Sequence, residues 1–199
     1  MLEIMDKQLS NSSGNSATAA GRAPNRSVEF VLEQAHTPDK FCSALAKLFA
    51  VRPTEVALLR LEKSLLRFLY PDELKTAGAI PISSSSAIAA HTASTKKIEI
   101  FNNFAKVKHA SIFETVKLAR PAEQEPETIE VETEQPSIQK LMSAPVMSEQ
   151  KLVGVIQICR KGFSLTSAGP DFTDADLKQL KLAASILAKK EFMASSAKT

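Results

Sequence analysis

The sequence has no tryptophan, one tyrosine, two cysteines, three histidines and six glycines in 199 residues. Each scarcity excludes a class of chemistry. Cys42 and Cys159 stand far apart, with no C-x-x-C or clustered pattern, so neither a disulfide framework nor a four-cysteine zinc site is expected and the thiols read as reduced. Among His36, His91 and His109 no pair has i, i+4 spacing and no H-E-x-x-H occurs, which leaves no metal-ligand pattern. The few glycines form neither G-x-G-x-x-G nor a Walker motif, the loops that cradle phosphate with backbone N–H groups. No apolar run approaches the roughly 18–20 residues of a membrane-spanning helix. The first residues, MLEIMDKQLSNSSGNS, lack the basic start and apolar stretch of a secretory signal. Together these features predict a soluble cytoplasmic protein without a membrane partner.

Positive charge is not concentrated either. Residues 121–136, PAEQEPETIEVETEQP, carry six glutamates and no lysine or arginine, so setting them aside turns the net charge of +3 into +9 for the rest. That excess is spread as pairs such as Lys96-Lys97 and Lys189-Lys190. A nucleic-acid face needs clustered cations, with aromatics between them for a single strand, so no nucleic-acid partner is expected. The acidic segment reads as a solvated loop, with docking on a basic partner as its alternative.

What the chain does contain is a succession of short apolar elements. Residues 1–26 are rich in Ser, Asn, Ala and Gly and read as a disordered leader. From Ser27, Val28, Val31, Leu32 and Ala35 recur at helical spacing. Thr37-Pro38-Asp39 then opens a second helix with Phe41, Leu45, Leu48 and Phe49 on its apolar face, ended by Pro53. Glu55 to Leu61 and Leu65 to Tyr70 read as a hairpin, followed by a short strand Ala79 to Ile82, the run Ser83 to Ser86, a small-residue helix Ala87 to Ala93, and a strand Ile98 to Phe101. Residues 102–118 read as irregular or briefly helical. Ile138 to Met147 and Leu152 to Cys159 form a second hairpin, and Phe172-Thr173-Asp174 starts a closing helix carrying Leu177, Leu180, Ala184 and Leu187. Strands running antiparallel between helices at both ends predict an α+β fold, a central antiparallel sheet covered by helices.

Residues 138–162, IQKLMSAPVMSEQKLVGVIQICRKG, and 172–188, FTDADLKQLKLAASILA, resemble the C-terminal half of a GAF domain. The resemblance rests on Ala144-Pro145-Val146, on Gly154 in the following strand, and on Phe172 to Asp176 at the closing helix. Element order extends it over residues 38–192. It implies a domain at 27–193 with residues 121–136 as an acidic loop insertion and 194–199 as a short tail. It further implies a sensory or regulatory role, a small-molecule effector of unknown identity held between the sheet and a cover running from Ser83 to Phe113, and terminal helices paired with those of a second subunit. Output then passes through a homodimer or a signalling protein in trans. The alternative is a degenerate GAF domain with a closed pocket, acting as a dimerisation or interaction scaffold.

Compared with the Asn-Lys…Phe-x₃-Asp-Glu motif of cyclic-nucleotide-binding members, Lys161, Phe172 and Asp176 match, while Arg160 and Leu177 replace the Asn and Glu. The resemblance implies that Lys161, Phe172 and Asp176 brace the last strand to the last helix. The candidate ligand contacts are Ser84 and Ser85 at the start of the small-residue helix, where free backbone N–H groups can hold an anion, with Phe101, Asn103, His109 and Phe113 beyond it. The bland readings are a serine cap and loop for the first pair, core for the phenylalanines, and a surface or packing role for His109. No enzyme is expected. The serines have no G-x-S-x-G setting, and no cysteine lies between 42 and 159, where the methionine-sulfoxide-reducing and pigment-bearing branches of the family place theirs.

Overall fold

A computed structural model describes residues 27–107 and 136–194. The expected leader 1–26, nearly all of the acidic segment, His109, Phe113 and all but the first residue of the tail fall outside those residues.

The chain begins with α1 (Val28–Glu33) and α2 (Pro38–Leu48). Ser27 Oγ accepts from Phe30 N and Thr37 Oγ1 from Lys40 N, both at 3.3 Å, so each helix opens on a hydroxyl cap. α2 stops well before Pro53. Ala50 takes a left-handed conformation (φ 50°), Val51 N donates to Ala46 O and Ala50 N to Lys47 O, the paired bonds that close a helix where glycine would be usual. The same economy of glycine recurs in the two tight hairpins, whose left-handed positions are filled by Lys63 and Glu149.

Six strands follow: β1 (Val56–Glu62), β2 (Leu65–Tyr70), β3 (Ala79–Pro81), β4 (Glu99–Phe101), β5 (Ser137–Ser148) and β6 (Lys151–Gly162). α3 (Ile88–Thr95) lies between β3 and β4, and α4 (Asp174–Leu187) closes the chain. The sheet order is β3-β2-β1-β6-β5-β4 with every pairing antiparallel, and the two longest strands, β5 and β6, pair with each other inside it. β1 and β6 approach closely at Gly154. A Cβ there would collide with the Leu59 carbonyl oxygen and stand 2.6 Å from Met193 Cε, which restricts the position to glycine.

Alternation along the strands divides the core in two. One face carries Val56, Leu58, Met142, Ala144, Val146, Ile156 and Ile158, covered by α1, α2 and α4 through Leu32, Phe41, Leu45, Leu180, Ala183 and Leu187. The other carries Ala57, Leu59, Leu66, Phe68, Leu141, Val155 and Cys159, covered by α3 through Ile88, Ala89, Ala90 and Ala93. Each fully buried Leu, Ile or Phe contributes roughly 1.5–3 kcal/mol, so the larger side chains of the first face make it the heavier anchor. α1 packs on α4, and Lys190 Nζ donates to Glu33 O at 2.7 Å, tying the chain ends together.

Candidate functional site

α3 is eight residues long and seated tightly on the sheet. Of its residues Ile88, Ala89, Ala90, Thr92 and Ala93 are buried, and small side chains let its axis approach the strands. Ser83 to Ser86 do not cap it. The N-cap is Ala87, with no side-chain bond to the helix. Ser84 N donates to Pro81 O at 3.0 Å, and Ser84 Oγ and Ser86 Oγ lie 3.2 Å apart, so the serine run is spent in a turn and the helix starts past it. At the far end Lys96 adopts a left-handed conformation (φ 55°) and donates its N–H to Thr92 O.

Beneath α3 lies a polar trio in apolar surroundings. Gln157 Nε2 donates to Ser143 Oγ at 3.1 Å, and Ser143 Oγ lies 2.7 Å from Thr92 Oγ1. Thr92 Oγ1 in turn donates to Ile88 O at 3.0 Å. All three residues are buried. One direction satisfies every group: Gln157 donates to Ser143, Ser143 to Thr92, and Thr92 to the helix carbonyl. Such a chain fixes the height of the helix above the sheet, because breaking one link leaves a buried polar atom unpaired. His91 Nε2 stands 3.3 Å from Glu99 Oε2, linking α3 to β4.

At the end of β4, Phe101 and Phe104 meet edge to face, their centroids 6.4 Å apart. Asn103 opens the short 3-10 turn Phe104–Lys106. Asn102 clamps the approach to α4: its Nδ2 donates to Phe172 O and its Oδ1 accepts from Phe172 N, each at 2.9 Å. Phe101 and Asn103 therefore sit together, half-buried, beside the α3 face. Ser84 and Ser85 follow β3 at the opposite edge of the sheet. Thr92, Ser143 and Gln157 were missed as site residues. Their one sequence signal is a lone polar residue inside an apolar run, as in LMSAPVM and VIQIC.

The contacts between sheet and closing helix involve Phe172 together with residues near Lys161 and Asp176. Asp176 Oδ2 accepts from Thr173 N at 2.7 Å and Thr173 Oγ1 at 2.8 Å, the reciprocal half of a helix-opening box. Arg160 stacks on the Phe172 ring, its Cζ 4.7 Å from the centroid, and donates to Phe49 O at 2.9 Å. The buried Lys140 pairs with Asp171 at 2.7 Å and donates to Gly169 O. Lys161 donates its backbone N–H to Glu55 Oε1 at 2.6 Å. Burial alone would raise the Glu55 carboxyl, but bonds from the Arg52 side chain and from the Arg52 and Lys161 backbones outweigh it and hold the pKa below the ordinary carboxylate value.

The family model for the GAF domain matches residues 42–190. The chain belongs to the GAF domain family. No curated protein matches it. Among solved structures, it is similar to the GAF domain of an Acinetobacter phosphoenolpyruvate-protein phosphotransferase (15% identity, 82% of this chain and 80% of that one, TM-score 0.53). It is also similar to residues 122 to 287 of a methyl-accepting chemotaxis protein (11%, 81% and 92%, 0.55). A third is the type II free methionine-R-sulfoxide reductase of Thermoplasma acidophilum (16%, 75% and 86%, 0.50). At these identities the likenesses show the GAF fold, whose family is sensory and regulatory.

Proposed function

We propose that this GAF domain is a non-enzymatic regulatory module that binds a small effector on the α3 face and transmits the bound state through subunit pairing at α1 and α4. The observation that carries the effector half is the buried Thr92–Ser143–Gln157 trio, a set of convergent hydrogen-bonding groups in an apolar layer, with the Phe101–Phe104 pair and Asn103 at its border. Small-molecule sites combine an apolar lining with a few placed polar groups in this way. His109 and Phe113 complete the proposed contact set.

The pairing half rests on exposed apolar surface. Val28 (38% exposed), Phe30 and Val31 (each 43%) on α1 and Leu182 (36%) on α4 place partly exposed apolar side chains on two helices already packed together. No catalytic step is proposed, because both thiols are fully buried and burial pushes the Cys42 thiol above its usual range, whereas a nucleophilic cysteine needs a stabilised thiolate.

The 2.7 Å contact between Thr92 and Ser143 favours a second reading, in which α3 is closed onto the sheet and the domain is a pairing scaffold alone. Native mass spectrometry of the freshly purified chain separates the two. A dimer carrying a discrete extra mass supports the effector reading; a bare dimer supports the scaffold; a bare monomer contradicts both.

A further inference from the structure

A cavity lies away from the α3 face. It is a half-open groove of about 600 Å³ between α4 and the edge of the sheet, floored by Ile98, Pro145, Met147, Leu177 and Ala184 and rimmed by Lys96, Lys178 and Lys181. It exists because the edge strand is short. β4 pairs only with Leu141–Ser143, so β5 runs on past it and Pro145 and Met147 have no neighbouring strand on that side. Leu177, Lys178, Lys181, Ala184 and Ser185 bring one side of α4 to the gap, about 12 Å of helix at the usual rise per residue.

We propose that this groove binds a free anionic amphiphile, a carboxylate or phosphate head on an unbranched or aromatic body about ten carbons long. The floor is apolar while all three rim lysines are exposed, and none has an ion-pair partner among the described residues. Apolar body and anionic head each have a counterpart there. The volume lies within the range of small-molecule sites. Lys96 holds a left-handed position that glycine would occupy at less cost, and its side chain forms part of the rim. Other occupants suit the groove less. An added β-strand needs backbone donors, and Pro145 supplies none. A second copy placed groove to groove across a two-fold axis would bring the two lysine rims together.

The test uses the full chain and isothermal titration at low salt with decanoate, decyl phosphate, decyl maltoside and decyltrimethylammonium, all below their micelle concentrations. The two anions are expected to bind saturably at one site per chain, and the neutral and cationic analogues at least tenfold more weakly. The triple variant Lys96→Gln, Lys178→Gln, Lys181→Gln changes exposed side chains only and should weaken decanoate about tenfold, the sum of three exposed charge contacts. Ser185→Phe, also on an exposed residue, should block the groove without altering the melting temperature of the unliganded protein. Equal binding of the neutral analogue, or unchanged decanoate affinity in the lysine triple variant, would overturn the proposal. So would an acidic peptide of sequence 121–136 binding where decanoate does not. The effector reading of the α3 face is read separately, since Thr92→Val should leave decanoate affinity unchanged.

Discussion

One face of the sheet is closed by three helices through Leu32, Phe41, Leu45, Leu180 and Leu187, the other by a single eight-residue helix through alanines and one isoleucine. The first face buries large side chains in apolar contact. The second buries three hydrogen-bonded polar residues. Large apolar contacts tolerate little change in volume, whereas the polar trio depends on three hydrogen bonds, each of which leaves a buried group unpaired when broken. The helical face therefore holds the fold together, and the α3 face is where the effector site is proposed. α4 also has both halves of an N-terminal capping box and fourteen residues, while α3 has no side-chain cap and ends on a left-handed lysine.

The comparison breaks most visibly at Leu180. This fully buried residue should cost about 2–5 kcal/mol on change to alanine, the range for a large-to-small core substitution, read by urea denaturation. Within α3 itself only Ile88 offers a comparable loss, because the other buried residues of that helix are alanines and Thr92.

Glu55 sharpens the account next. Its buried carboxylate joins the Pro53–Glu55 turn to the end of β6 through Arg52 and Lys161. Glu55→Gln should cost about 1.5–3 kcal/mol at pH 7, as for a hydrogen-bonded charge. The folded pKa is depressed, so this stabilisation is fully present above the unfolded value of about 4.3 and fades as pH falls through the folded one. Denaturation midpoints measured downward from pH 7 should fall in the parent below about pH 5, and fall less steeply in the variant.

A smaller effect is expected at the trio. Thr92→Val keeps shape and removes the hydroxyl that joins Ser143 to the helix carbonyl, costing about 1 kcal/mol, and Ser143→Ala should cost less in that background than in the parent, because one of the bonds it removes is already gone. Full additivity in that double-mutant cycle would show that the trio does not act as a unit. Smallest of all on monomer stability are Phe30→Ser with Val31→Ser, exposed positions expected within about 0.5 kcal/mol. Their predicted effect is on sedimentation, which should shift from dimer to monomer.

Much of this architecture is legible in the sequence. Helical and alternating patterns mark both hairpins, the closing helix and the element order, and the turn between β5 and β6 lies where Ser148-Glu149-Gln150 interrupts two apolar runs. The opening of α3 was less legible, because four adjacent serines offer several caps and only tertiary packing selects Ala87. The α2 terminus was also misjudged, since an alanine in a left-handed conformation carries no sequence mark. The trio stayed hidden for a different reason: Thr92 and Ser143 are 51 residues apart, and a hydrogen bond at that separation has no local signature. Phe101 ends β4 and Asn103 opens the following turn, as neighbours in sequence must, while the contacts of Arg160 with Phe172 and of Lys140 with Asp171 join residues distant in the chain and so had no local signal.

The division between the two faces is tested most directly by native-state hydrogen exchange of the unliganded full chain. Amides of Ile88–Thr95 should exchange through openings of lower free energy than those of Asp174–Leu187, whose protection should approach that of global unfolding. Equal protection of α3 and α4, or stronger protection of α3, would contradict the account, since the α3 face would then be as fixed as the face that anchors the fold.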